Sequence, residues 1–271
     1  MAFSVFWGKR HKENPYGWPP ESCDKGPAHS RSVVLHIPDG YLSPQTYAPL
    51  YGVSFVFWGI AMKKVQRELS VRQVPYLAMA AVFSFLVQMF NFPAPGGTSG
   101  HIVGAALAAI LLGPWSAVIA LSVVLLIQAL VFGDGGITAL GANCCNMAIA
   151  MPFVSYGIFR LAGGAGKGKR RTLIAAFLAG YIGLCAAAVL AGFEFGIQPL
   201  IASGPDGKPL YAPYPLKIAV PAMALEHLFF FGIIEGVVTA LLLGYILRNQ
   251  PGLVYGMRQK AYGNEKVSPD K

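Results

Sequence analysis

Residues 115–132 read WSAVIALSVVLLIQALVF and run into Gly133-Asp134-Gly135-Gly136. Eighteen residues without a charge make about 27 Å of helix at 1.5 Å per residue, close to the ~30 Å hydrocarbon core of a bilayer. Six more apolar segments surround this one: 46–62, 74–90 and 101–113 before it, and 138–160, 172–192 and 218–247 after it. Hydrophobic residues make up 55% of the 271-residue chain and charged residues 12%. The charged share is about half the roughly 25% typical of soluble domains. The runs do not alternate as the ten-residue strands of a membrane barrel do. The expected fold is all-α, a polytopic helical membrane protein with about seven transmembrane helices. Segment 101–113 is short for a span and is expected to tilt, or to borrow residues from the glycine-rich loop before it.

The charges supply a topology. Lys63, Lys64, Arg67 and Arg72 follow the first segment, Lys167, Lys169, Arg170 and Arg171 the fifth, and a basic tail the seventh. Exits from odd-numbered segments share one side, so the positive-inside rule makes all three clusters cytoplasmic. The N-terminus is then outside and the C-terminus cytoplasmic, with loops 91–100, 133–137 and 193–217 on the outer face. The net charge of +9 therefore reads as membrane topology, with no nucleic acid as partner. Small residues recur (Gly104, Ala105, Ala106, Ala108 and Ala109; Gly180, Gly183 and Ala186 to Ala188). They allow close helix approach, within the chain or against a partner subunit. Cys23, Cys144, Cys145 and Cys185 form no CxxC pair, and three of them read as small buried hydrophobes.

Residues 1–34 are basic and rich in Pro, Gly and Ser, without the apolar core of a signal peptide. They are expected to be a disordered extension. The membrane-embedded domain is expected over 35–247, and a cytoplasmic basic tail over 248–271.

Two histidines carry the chemistry. His36 lies in Leu35-His36-Ile37-Pro38-Asp39-Gly40-Tyr41-Leu42-Ser43-Pro44, just ahead of the first segment. His101 ends Gly96-Gly97-Thr98-Ser99-Gly100-His101 and opens the third. The topology puts both on the outer face, and Pro38-Asp39-Gly40 suits a tight turn that folds His36 back toward the bundle. A lone histidine at a helix end is usually structural; two on one face, each beside a turn, are candidate metal ligands. The glycine-rich run lacks the lysine of a P-loop, so nucleotide binding is not expected. No paired carboxylates and no HExxH pair mark an enzyme. Polar residues inside a membrane segment are functional candidates, which singles out Glu226, His227 and Glu235. Glu226 and His227 read as a second metal site or as residues of the outer boundary. Asn91, Gln128, Asn143 and Asn146 are suited to joining helices or supporting a ligand. Asp134 reads as a turn residue.

The string His36 to Pro44 resembles the opening of the CbiM/NikM family, the substrate-capture subunits of nickel and cobalt energy-coupling-factor (ECF) transporters. Further matches are Asn91-Phe92-Pro93, Gly96 to His101, Gly113-Pro114-Trp115, Gln128-Ala129-Leu130 and Asp134 to Asn143. The resemblance covers about 35–247 and makes this a metal-capture domain in multi-pass form, in the inner (cytoplasmic) membrane. It implies Ni(II) or Co(II) as transported substrate, with no bound cofactor, and a link to cobalamin biosynthesis. It implies as partners a transmembrane coupling subunit, ATPase subunits and a small accessory membrane subunit. The implied donors are the terminal amine of the residue at position 35, the amide and imidazole nitrogens of His36, and His101. Asp39, Ser99 and Asn143 are the residues expected to support them.

Residue 35 departs from that pattern. It is Leu35, with thirty-four residues before it, and an internal leucine has no free amine. The expectation is that translation starts at position 35, from a leucine codon read as Met. The alternatives are a capture subunit for an organic vitamin, with an aromatic-lined pocket and no need of His36, an intramembrane enzyme, or an ion channel.

Overall fold

Each long apolar run of the sequence is helical in the computed structural model, which describes residues 33–68, 73–94, 98–164 and 168–255. The expected extension falls outside these residues except for Val33 and Val34, and so does the basic tail beyond Tyr255. Among the described residues, seven segments built on α-helix follow in order: α1 (Pro44–Glu68), α2 (Val74–Gln88), α3 (Ala105–Leu112), α4 (Pro114–Phe132), α5 (Leu140–Leu161), α6 (Lys169–Ile201) and α7 (Leu216–Asn249). Of these, α4 to α7 are each long and apolar enough to cross a bilayer. The last turns of α4, the middle of α5 and residues His227–Phe231 of α7 widen into π-helix. Such bulges often occur where a helix carries a functional side chain.

The polarity of the bundle is inverted relative to a soluble protein. Phe55, Met79, Val131, Phe229 and Leu241 point outward, while Gln88, Gln128, Asn143, Asn146, Glu194, Gln198, Glu226, His227 and Glu235 are buried. Lipid-facing helices carry this pattern, because hydrocarbon accepts a leucine and rejects an amide.

The short third segment has its own solution. Its helix is only Ala105–Leu112, and the chain before it is extended rather than helical. Strands β1 (Val33–Val34), β2 (Phe92–Ala94) and β3 (Thr98–Gly100) form a small sheet in the order β1-β3-β2. Strand β3 pairs parallel with β1 and antiparallel with β2. Residues 98–101 are buried, and strand pairing supplies β3 with backbone partners. Non-helical chain is tolerated inside a membrane protein when its backbone is satisfied in this way. The residues borrowed from the glycine-rich loop make up the length as extended chain, not as helix.

Helices α6 and α7 meet at backbone distance. A Cβ on Gly180 would lie 3.0 Å from the carbonyl oxygen of Glu235 and the Cα of Gly236, and one on Gly236 would lie 2.8 Å from the carbonyl of Phe177. The small residues therefore serve packing within this chain. Asn146 reinforces the bundle by donating to Glu194 Oε2 at 2.9 Å, joining α5 to α6.

Gly236→Leu is expected to force these helices apart and to destabilise the fold by about 1–3 kcal/mol, the usual cost of overpacking. Gly59→Leu, at an exposed helix position with open space around it, should be neutral. Thermal unfolding in detergent compares the two.

Candidate metal centre

Leu35, His36 and Ile37 are almost fully buried, although they precede the first helix. Asn143 on α5 explains how. Its Oδ1 accepts from Ile37 N–H at 2.8 Å, and its Nδ2 donates to Ile37 C=O at 3.1 Å. One side-chain amide thus satisfies both backbone groups of Ile37, as a neighbouring strand would. The same carbonyl also accepts from Gly136 N–H at 2.8 Å. A Cβ at Gly136 would run into the backbone nitrogen of Asp39, so only glycine fits there.

Asp39 completes the stitching. Its carboxylate accepts from Ile137 N–H at 3.1 Å and Thr138 N–H at 2.7 Å, and from the Thr138 hydroxyl. The Tyr51 hydroxyl donates to the Ile137 carbonyl. Segment 35–40 and loop 133–138 therefore hold each other, which explains the turn chemistry of both. Asp39 and Asn143 thus tie the histidine segment to loop 133–138 and to α5. Ser99 is buried and lies in β3, opposite Val34 and Pro93.

The ring of His36 is held from two sides. Nε2 lies 3.1 Å from Gln88 Oε1, and Gln88 in turn donates from Nε2 to the Val103 carbonyl at 3.4 Å. With the amide oriented by that second bond, Oε1 faces the imidazole and the His36 Nε2–H must donate to it. Nδ1 then faces Asp134 Oδ1 at 3.1 Å. Two acceptors so close need a proton or a cation between them. Burial works against ionisation of Asp134, but the hydrogen bond and charge of His36 outweigh it and hold the carboxyl below the usual carboxylate range. Asp134 is therefore more than a turn residue.

The ring of His101 lies edge-on to that of His36, with centroids 4.5 Å apart and planes at 74°. Its Nδ1 is 3.0 Å from the Ile102 carbonyl. A carbonyl can only accept, so Nδ1 carries the proton and Nε2 keeps a lone pair. That Nε2 is buried and has no hydrogen-bond partner among the described residues. The fold thus brings the two histidines together across 65 positions of sequence and leaves each a nitrogen suited to a metal.

The other candidates are also buried. Glu226 and His227 are buried side by side on α7, with His227 Nδ1 donating to the Met223 carbonyl at 2.9 Å and 3.2 Å from Glu226 Oε1. Glu235 bonds the backbone at Val103 and Gly104. Among the described residues, no three His, Cys, Asp or Glu side chains form a ready-made metal cluster. Gln88 was not legible as a site residue, although it is the kind of amide inside an apolar segment that invites suspicion.

Residues 36–253 match the family model described as the cobalt uptake substrate-specific transmembrane region, CbiM. The chain is 53% identical over 228 residues to a fused nickel transport protein NikMN of Rhodobacter capsulatus, covering 84% of this chain and 66% of that one. It is 45% identical over 230 residues to a putative metal transport protein of Methanocaldococcus jannaschii, covering 84% and 99%. A crystal structure of a truncated transition metal transporter superposes with a TM-score of 0.75 at 46% identity, covering 79% of this chain and 98% of that one. The chain spans about two thirds of the fused relative and nearly all of the unfused one. On the match over 36–253, this chain belongs to the CbiM family of transmembrane transport components, which are not enzymes.

Proposed function

We propose that this chain is the substrate-specific component of an ATP-driven ECF-type transporter, capturing Ni(II) or Co(II) on the outer face of the cytoplasmic membrane. The observation that carries the reading is the pair of buried imidazoles 4.5 Å apart. Their remaining ring nitrogens are engaged by Gln88 and by the Ile102 carbonyl.

The chemistry of the donors supports nitrogen ligation. The amide nitrogen of His36 and its own Nδ1 close a six-membered ring on a metal, whereas Nε2 points away. An amine at position 35 and the same amide close a five-membered ring. These fused rings leave one place in the plane, which the lone pair of His101 Nε2 can take. Four nitrogens in a plane suit Ni(II), and cobalt accepts the same set with added ligands. Leu35 is fully buried, so a terminal amine at that position belongs with the site in a chain that begins there.

The metal must then be moved by other subunits. We assign as partners a transmembrane coupling subunit, ATPase subunits and a small accessory membrane subunit, since this sequence has no nucleotide-binding motif. A vitamin is less well served. The cleft of about 600 Å³ between α2, α3 and α7 holds the aromatic residues Tyr76, Phe83 and Tyr245, but it also takes in Asn249 and Gln250 at the end of α7 that the charge pattern makes cytoplasmic, away from the outer face.

Nickel and cobalt titrations of two purified forms, one starting at residue 1 and one with Met at position 35, test the donor set. Tight binding is expected in the shorter form and its loss in His101→Ala. Equal tight binding in both forms would remove the amine from the set, and binding indifferent to His101 would overturn the metal reading.

The pH profile gives a second check. Imidazole and amide nitrogens bind metal only without their protons, so nickel affinity is expected to fall as pH drops from about 8 to 6. Asp134, whose carboxyl is held below the usual carboxylate range, keeps its negative charge throughout that range, 3.1 Å from His36 Nδ1. Asp134→Asn removes that charge and should move the fall to lower pH; an unchanged or upward-shifted profile would contradict an electrostatic influence of Asp134 on the site.

A further inference from the structure

The chain from Thr98 to Gly104 is non-helical, so the amides leading into α3 lack helical partners. Gly104 has φ +75°, a left-handed conformation that turns its N–H and that of Val103 toward the same point. A side chain could not follow, since a Cβ there would lie 2.8 Å from the ring of Phe83. At that point sits the carboxylate of Glu235, only 1% exposed. Oε2 accepts from Val103 N–H at 2.8 Å and Gly104 N–H at 3.1 Å, and Oε1 accepts from Gly104 N–H at 3.0 Å.

We infer that Glu235 is a positioning residue for the metal site: by gripping the Val103–Gly104 backbone it fixes where His101 stands, so that α7 sets the spacing of the two imidazoles. This rests on the reading of His101 as a metal ligand. His101 is two residues from Val103, too few for a shift at one to be absorbed before the other. The Val103 peptide is also clamped from its other side, where its carbonyl accepts from Gln88, and Gln88 holds the ring of His36. Glu235, Val103, Gln88 and His36 thus form one continuous line of hydrogen bonds between α7 and the first histidine. Glu235 itself stands on rigid support, because its carbonyl lies where a Cβ on Gly180 would meet it at 3.0 Å. An ordinary helix cap would satisfy the same amides from a neighbouring residue. Here the acceptor comes from 131 residues away, on a different helix.

The test uses the full chain in detergent, in whichever of the two starting forms binds nickel more tightly. Ni(II) affinity, the visible absorption of the bound metal and thermal unfolding are measured for Glu235→Gln, Glu235→Ala and His101→Ala. Glu235→Gln keeps the shape and one acceptor oxygen. It is expected to unfold close to wild type, yet to bind nickel about tenfold more weakly with a shifted absorption band; Glu235→Ala should lose about a hundredfold. If both variants keep the wild-type affinity and band while His101→Ala abolishes binding, Glu235 has no positioning role. The role is equally refuted if they lose only bound-metal stoichiometry, in step with unfolded protein, at unchanged affinity and band. Wild-type binding by His101→Ala would instead sink the ligand reading on which this inference rests.

Discussion

Two hydrogen bonds between the amide of Asn143 and the backbone of Ile37 are the constraint on which the site depends. A segment ahead of the first helix has no ladder of its own, and burying it without partners would cost about 1–3 kcal/mol for each unsatisfied group. Asn143 removes that penalty for both groups of Ile37 at once. Gly136 and Asp39 then extend the same seam on either side. Only because the backbone is settled here can the neighbouring His36 be turned inward, to within reach of Gln88, Asp134 and His101.

The bilayer explains why such a seam is so strict. Water can rescue a misplaced amide on a soluble surface, but hydrocarbon cannot. Hence the buried polar residues of this bundle act mostly in pairs that tie elements distant in sequence: Asn146 with Glu194, Gln198 with Thr46 and the Ser43 amide, Glu235 with the Val103–Gly104 turn. Each pair fixes the relation of two segments in a way that contacts between leucines cannot, because a leucine packs almost equally well against lipid. Polar satisfaction here carries much of the specificity that a hydrophobic core provides in water.

The helices were legible because one pattern, uncharged runs of suitable length, reports on them directly. The two histidines were legible as candidate ligands through their motifs and shared sidedness, and Asn143 and Asp39 as candidates to support them. Gln88 and the second role of Asp134 were not. Gln88 ends an apolar helix, and nothing in its neighbours reveals that its amide faces His36 across 52 residues of sequence. Asp134 sits in Gly133-Asp134-Gly135-Gly136, where turn propensity alone accounts for an aspartate. Such contacts are set by the three-dimensional return of the chain, which local pattern does not encode. The extended approach to α3 was hidden for a related reason: apolar composition signals burial, and a buried strand and a short buried helix look alike.

That extended approach has a chemical logic. Within a helix every backbone N–H beyond the first turn is committed to a carbonyl four residues back. A site that draws on backbone nitrogen, as the donor set proposed for residues 35 and 36 does, must lie where the backbone is uncommitted. The chain meets this need by placing its histidines on non-helical stretches and mooring those stretches at adjacent residues. Ile37 takes the bonds of Asn143, and Val103 takes those of Glu235 and Gln88. Support one or two residues away holds each imidazole in place, with His101 Nε2 left without a hydrogen-bond partner among the described residues and His36 Nδ1 facing Asp134.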